Sequence, residues 1–213
     1  MVCAVHNMAK KVSRILISNS CVQFSPAKPF TYASGLVGPI YCDNRRLLSF
    51  VEDRKKIVEL FCDVIDSSGE KYDLVAGLAT AGIPHAAFIA NSKNMPMIYI
   101  RSSAKKHGKE NQVEGVYSNG DRVILIEDLV NQAKSLEEAV LGARAVGLVV
   151  ESCFAIVDYE MAWAKERIDR LGIKLYSLTN LTALVEVAKE MGLIDKSGQD
   201  LIAKWHQYPT DWK

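Results

Sequence analysis

A chain of 213 residues, 49% hydrophobic and 24% charged, can bury one sizeable core with a small appendage but not two full domains. Its formal net charge of +1 excludes a global basic field for nucleic acid and an acidic solvating tail, so any recognition of anions is local. Cys3, Cys21, Cys42, Cys62 and Cys153 are scattered, odd in number and without metal-ligand spacing to the four histidines, which points to reduced, mostly buried thiols in a cytoplasmic protein.

Near the N-terminus Val5, Met8, Val12, Ile15 and Leu16 recur at helical spacing, with Lys10, Lys11 and Arg14 on other faces, and predict a one-sided helix over 5–18. No apolar signal region precedes the two lysines, and no run approaches the ~18 apolar residues that a membrane span requires, so no membrane partner is expected. Pro and Gly break residues 22–50 into strand-like pieces at 22–24, 30–32 and 39–41, too short for a main sheet and suited to a small cap. An amphipathic helix follows over 52–65, stopped by Ser67-Ser68-Gly69. The apolar run 73–79 reads as the first central strand, Thr80-Ala81-Gly82-Ile83-Pro84 as the turn after it, 83–90 as a helix and 96–100 as a short strand.

The polar stretch RSSAKKHGKENQVEG at 101–115 reads as an exposed excursion. Val123, Ile124, Leu125 and Ile126 form a second apolar run after Gly120-Asp121, a strand covered on both faces. Glu127 and Asp128 fall at its carboxyl end, where open α/β sheets bind ligands; Leu136, Ala139, Val140 and Ala143 supply the helix after it. The plainer reading of the acidic pair is a strand end with two solvated carboxylates. A strand at 148–157, a helix at 161–171, a strand at 174–178 and a helix at 181–191 closed by Gly192 complete the alternation. The terminal helix at 195–208 is expected to pack through Trp205 and Tyr208, with Trp212 beyond it.

Four of these segments together carry a resemblance. FTYASGLVGPIYCDNRRLL at 30–48, AGLATAGIPHAA at 76–87, the excursion at 101–115 and RVILIEDLVNQAKS at 122–135 are similar to the signatures of the orotate phosphoribosyltransferases, and the likeness runs from about 30 to 200. The resemblance implies the type I phosphoribosyltransferase fold, an α/β architecture with a central mostly parallel sheet flanked by helices and a small N-terminal hood. It implies one domain over 1–213, with the hood mainly at 20–50, the core at about 51–195 and a C-terminal helix at 196–213. The implied reaction moves phosphoribosyl from phosphoribosyl pyrophosphate (PRPP) to orotate, giving orotidine 5'-phosphate and pyrophosphate in pyrimidine nucleotide synthesis. Mg2+ would be carried by the substrate pyrophosphate, with no metal-binding residue of the chain's own, in a cytoplasmic homodimer without nucleic-acid partners.

By the same resemblance, Ser34 and Tyr41 belong to the hood over the pyrimidine, and Thr80, Ala81 and Gly82 contact pyrophosphate through the backbone. Arg101, Lys105 and His107 are the catalytic cations, the last two on a loop reaching the neighbouring subunit's site. Glu127 and Asp128 hold the ribose hydroxyls, and Asn131, Lys134 and Ser135 the 5'-phosphate. Ala33, Val37 and Ser103 stand where lysines are frequent in the family.

The main departure is at Gln132-Ala133-Lys134, where the family usually has Thr-Gly-Gly. Glycine there permits positive φ and close approach of backbone to phosphate. If Ala133 and Lys134 adopt the left-handed backbone, each costs on the order of 1 kcal/mol or more. Missing donors to a charged group cost ~1.5 to 3 kcal/mol each. Lys134 either offsets this as a point charge or pairs with Glu127, Asp128 or Glu138 and closes the site from inside. The first arrangement implies a working enzyme, and the second an impaired paralogue that keeps the fold to bind a nucleotide, an anion or a protein partner.

Overall fold

The computed structural model describes residues 2–32, 35–102 and 112–212. The first elements are α1 (Val2–Ser18), β1 (Val22–Phe24), β2 (Phe30–Thr31), β3 (Val37–Gly38) and β4 (Ile40–Cys42), followed by a 3-10 turn at Asn44–Ser49. Then come α2 (Val51–Ser68), β5 (Leu74–Leu78), α3 (Gly82–Lys93), β6 (Met97–Ile100) and β7 (Val113–Glu114). The chain continues with β8 (Arg122–Val130), α4 (Lys134–Ala145), β9 (Val149–Asp158), α5 (Ala162–Leu171), β10 (Lys174–Asn180), α6 (Leu181–Glu190) and α7 (Lys196–Gln207). No helix among the described residues is long and apolar enough to cross a membrane.

These elements form two units, residues 52–178 and residues 1–51 with 179–213. The larger is built on a six-stranded sheet in the order β10-β9-β8-β5-β6-β7. Strands β5, β6, β8 and β9 pair in parallel, and β7 adds an antiparallel edge through Tyr99↔Glu114 and Ile100↔Val113. Every residue of β5 is buried, as is every residue of β8 from Val123 to Glu127, because helices cover the sheet on both faces. Helix α3 packs on β5, β6 and β8, while α4 packs on β9 and α5. The expected mostly parallel sheet is therefore present. Strand β8 runs four residues past Ile126, so Glu127 and Asp128 lie inside it and not after it.

In the smaller unit, α1 packs on α6, and buried Ser13 and Thr179 share a 2.7 Å hydrogen bond. The N-terminal pieces make two separate antiparallel ribbons, β1 with β4 and β2 with β3, as the shortness of their strands predicts. Asp195 caps α7 by accepting the Gly198 amide at 2.8 Å. On that helix Trp205 is buried at 2% exposure, whereas Tyr208, at its C-cap, is 49% exposed and does not pack as expected. Of the described cysteines, Cys21 and Cys153 are buried and Cys42 and Cys62 are half-buried.

Candidate active site

The strand order of the larger unit makes a crevice. From β5 the chain crosses through α3 to β6 on one side, and from β8 it crosses through α4 to β9 on the other. The crossovers diverge between neighbouring strands β5 and β8, and the carboxyl ends at such a switch point are where open α/β sheets bind ligands.

Two glycines bring the elements together there. A Cβ on Gly77 would stand 2.6 Å from the Ile83 Cα, and one on Gly82 would stand 2.3 Å from the Ile126 carbonyl oxygen and 3.4 Å from the Glu127 Cα. Only the absence of a side chain at Gly82 lets the start of α3 lie directly on β8. The turn Thr80-Ala81-Gly82, which follows a cis peptide bond between Ala79 and Thr80, thus abuts the strand at its acidic pair. Pairing of β8 with β5 ends at Gly77↔Ile126, whereas pairing with β9 continues to Val130↔Asp158. Residues 127–130 therefore lie past the last pairing with β5, beside the turn.

The two carboxylates differ. Glu127 is only 9% exposed, and one of its oxygens accepts the Asp128 amide at 2.8 Å. Burial first, and the neighbouring Asp128 carboxylate second, push the Glu127 pKa well above the usual range, against the lowering effect of that amide. Asp128 is half-buried. The plain reading of two solvated carboxylates fails at Glu127. Together the pair offers two close oxygen groups, of which the buried one readily keeps a proton, an arrangement that can exchange hydrogen bonds with a diol.

Beyond β8, Asn131 and Gln132 are half-buried and Ala133 is 5% exposed, with φ 55° and ψ 18°. Ala133 thus takes the left-handed backbone that a glycine would take, and its side chain offers no cap to α4. Lys134 does not take it; it is the first residue of α4 and, like Ser135, is exposed. Ala133 leaves the first turn of α4 without a side-chain cap, and the free amides of a helix N-terminus favour an anion. Glu137, the acid in that turn, is paired with Arg167 and Arg170, so its charge is offset. Among the described residues Lys134 makes no ion pair, and the closure through Glu127, Asp128 or Glu138 does not form.

Strand β6 delivers Arg101 to the same edge. Ile100 accepts the Ala79 amide at 2.8 Å, and the Arg101 guanidinium pairs with Glu114 at 3.4 Å. Arg101 and Gln112 are joined twice, by the Arg101 amide to the Gln112 carbonyl at 2.9 Å and by the Gln112 side-chain amide to the Arg101 carbonyl at 2.6 Å. Gln112 in turn sits against Gly142 of α4, where a Cβ would be 2.2 Å from its side-chain oxygen. One sheet edge thus gathers Thr80, Ala81, Gly82, Arg101, Glu127, Asp128, Asn131, Lys134 and Ser135. Tyr41 lies in the other unit, on β4, 38% exposed and with its ring centroid 5.6 Å from that of Phe30. Ser34, Lys105 and His107 lie outside the described residues.

Comparisons with known proteins identify the family. The phosphoribosyl transferase domain family matches residues 51–170, which span β5 to α5 and every crevice element. An orotate phosphoribosyltransferase of Coxiella burnetii is 39% identical over 207 residues, covering 97% of this chain and 99% of that protein. The chain belongs to the orotate phosphoribosyltransferase family. Among solved structures, the orotate phosphoribosyltransferase of Aeropyrum pernix superposes with a TM-score of 0.73 at 26% identity, over 86% of this chain and 99% of that one. The UMP synthase of Leishmania donovani superposes with a TM-score of 0.80 at 30% identity over 93% of this chain, which spans 42% of that longer one.

Within this member of the orotate phosphoribosyltransferase family, three features of the unit have little or no signal in the sequence. Gln112 closes the base of the polar excursion; the only signal was its place in a polar run. Gly77 has a signal, a glycine inside an apolar strand. His85 has none: it lies on α3 with 0% exposure, and neither ring nitrogen has a hydrogen-bond partner among the described residues. Burial, and then the charge of Arg54, lower its pKa to about 4, so it is neutral at physiological pH.

Proposed function

We propose that the chain transfers the phosphoribosyl group of PRPP to orotate, giving orotidine 5'-phosphate and pyrophosphate. The observation that carries this reading is the contact of Gly82 with Ile126 and Glu127, which sets a backbone turn against an acidic pair at the switch point of a family sheet. In this reading the orotate ring nitrogen gives up its proton to solvent and bonds to the anomeric carbon while the bond to pyrophosphate breaks and its electron pair leaves on oxygen. The turn Thr80-Ala81-Gly82 binds the pyrophosphate through its backbone. Arg101, with Lys105 and His107, neutralises the charge that grows on it, the largest kind of contribution in such transfers. Glu127 and Asp128 orient the ribose hydroxyls.

The open first turn of α4 receives the 5'-phosphate, with Asn131 and Ser135 as donors and Lys134 as a point charge in place of the family's glycine amides. Ser34 and Tyr41 cover the pyrimidine. Mg2+ enters on the substrate pyrophosphate. The active form is a homodimer in which each subunit lends Lys105 and His107 to the other's site, while Arg101 serves its own.

The test is consumption of orotate with Mg2+ and PRPP, followed by loss of orotate absorbance and by pyrophosphate release. Turnover that stops when either substrate is omitted is expected. A folded protein that consumes neither substrate would sink the reading.

A further inference from the structure

We propose that α7 is the strut that sets the β2–β3 hairpin, so that Trp205 and Tyr32 are positioning residues for the pyrimidine acceptor and not for PRPP. The functional half of this inference rests on the hood role proposed above for Ser34 and Tyr41; the structural half does not.

A ribbon of two-residue strands has little stability of its own and takes its place from whatever holds it. Two groups of the same unit hold this one. The buried indole N–H of Trp205 donates to the Val37 carbonyl at 3.2 Å, and the Tyr32 hydroxyl donates to the Ile40 carbonyl. Both meet at Gly38, where a Cβ would stand 2.2 Å from the Tyr32 oxygen and 2.8 Å from the Trp205 ring nitrogen. Any side chain at 38 would separate the ribbon from the helix. Helix α7 is fixed at its other end too: Gly198 lies against Pro26, a Cβ there being 3.3 Å from the proline ring, and Pro26 adjoins Ser25, whose amide binds the Pro39 carbonyl at 2.7 Å.

Two of these residues lie close in the chain to a proposed base contact. Tyr32 precedes Ser34 by two residues, and Ile40 precedes Tyr41 by one. Phe30, which pairs with Gly38 across the ribbon, carries the ring against which Tyr41 rests. A displaced α7 therefore moves Tyr41, while the proposed phosphate and pyrophosphate contacts lie on elements of residues 52–178.

Trp205→Phe keeps the ring and removes the donor; Tyr32→Phe does the same at the second anchor. Hydrogen exchange of the amides at 30–42 should quicken in both variants while that of 74–100 stays as in the wild type. The KM for orotate should rise about fivefold, the effect of one lost hydrogen bond, with the KM for PRPP changed less than about twofold. Unchanged exchange at 30–42 in both variants would overturn the strut. Faster exchange with both KM values rising together would overturn the role in acceptor binding. An inactive wild type whose variants still exchange faster at 30–42 would remove the proposed reaction and leave the strut standing.

Discussion

Replacing Gly82 with alanine tests the site where it is tightest. The new Cβ would lie 2.3 Å from the Ile126 carbonyl oxygen, against ordinary contact beginning near 3.4 Å, and the atom it meets is backbone of a strand paired on both sides. Strand β8 cannot yield without breaking its ladder, so the first turn of α3 must retreat by about 1 Å. Forcing an extra carbon into such packing costs about 1 to 3 kcal/mol. For a chain of this length each kcal/mol is worth about 2 to 4 °C, so Tm should fall by roughly 2 to 12 °C. The greater effect is on chemistry, because the retreat separates the pyrophosphate turn from the ribose-binding pair, and a misplacement of ~1 Å can cost on the order of 100-fold in rate. Thermal unfolding and initial rates with orotate and Mg2+-PRPP measure both. A Gly82→Ala protein with wild-type Tm and kcat/KM would refute the claim that this contact builds the site.

Ala133→Gly relieves a left-handed backbone worth ~1 to 2 kcal/mol but loses a buried methyl worth ~0.8 kcal/mol and loosens the unfolded chain, so Tm should barely move; a fall of many degrees would contradict this balance. Lys134→Gln should raise the KM for PRPP about tenfold at low ionic strength and flatten its salt dependence; an unchanged salt profile would show that the lysine does not meet the phosphate. His85→Leu should remove a pH dependence: the unfolded chain takes up the imidazole proton from pH 6.5 downward and the folded one only near 4, so wild-type stability falls by on the order of 3 kcal/mol as pH drops through that window. Urea melts at pH 4, 5 and 7 would test it, and a slope that survives in the variant assigns the effect elsewhere. Glu127 has the opposite sign. Its folded carboxyl keeps the proton that the unfolded chain loses, so it costs stability as pH rises above the ordinary carboxylate range, and Glu127→Gln should raise Tm at neutral pH.

Much of this architecture can be read from periodicity. The runs at 74–78 and 123–126 are apolar at every position because both faces of a central parallel strand are covered, and Leu136, Ala139, Val140 and Ala143 are all buried at the spacing that predicts α4. The rest of β8 is not legible that way. Two adjacent acids look like the end of a strand, and only the pairing with β9 out to Asp158 carries the ladder past them. Strand β7 is two residues in a polar context, too short to show a period. The burial of Glu127 and His85 is set by packing from elements distant in the chain. At the phosphate turn, the residue types leave open whether Ala133 and Lys134 take a left-handed backbone; Ala133 does and Lys134 is already helical, a division not legible beforehand because a helix N-terminus cannot be fixed to one residue without a capping side chain. Tyr208 does not pack because it sits at the C-cap of α7, half exposed, where the helical spacing no longer sets its direction.

The turn after β8 also says where this lineage is free to drift. Val130, Ala133 and Leu136 are buried at 2%, 5% and 1% exposure and fasten the segment at three points, while Gln132 is half-buried and Lys134 and Ser135 are exposed. A left-handed, enclosed residue admits glycine or alanine and little else, so position 133 is answerable to the fold. Its neighbours are answerable only to the ligand. In a saturation library screened first for folded protein and then for growth that depends on the reaction, 133 should be depleted in the first sieve, and 132 and 134 only in the second.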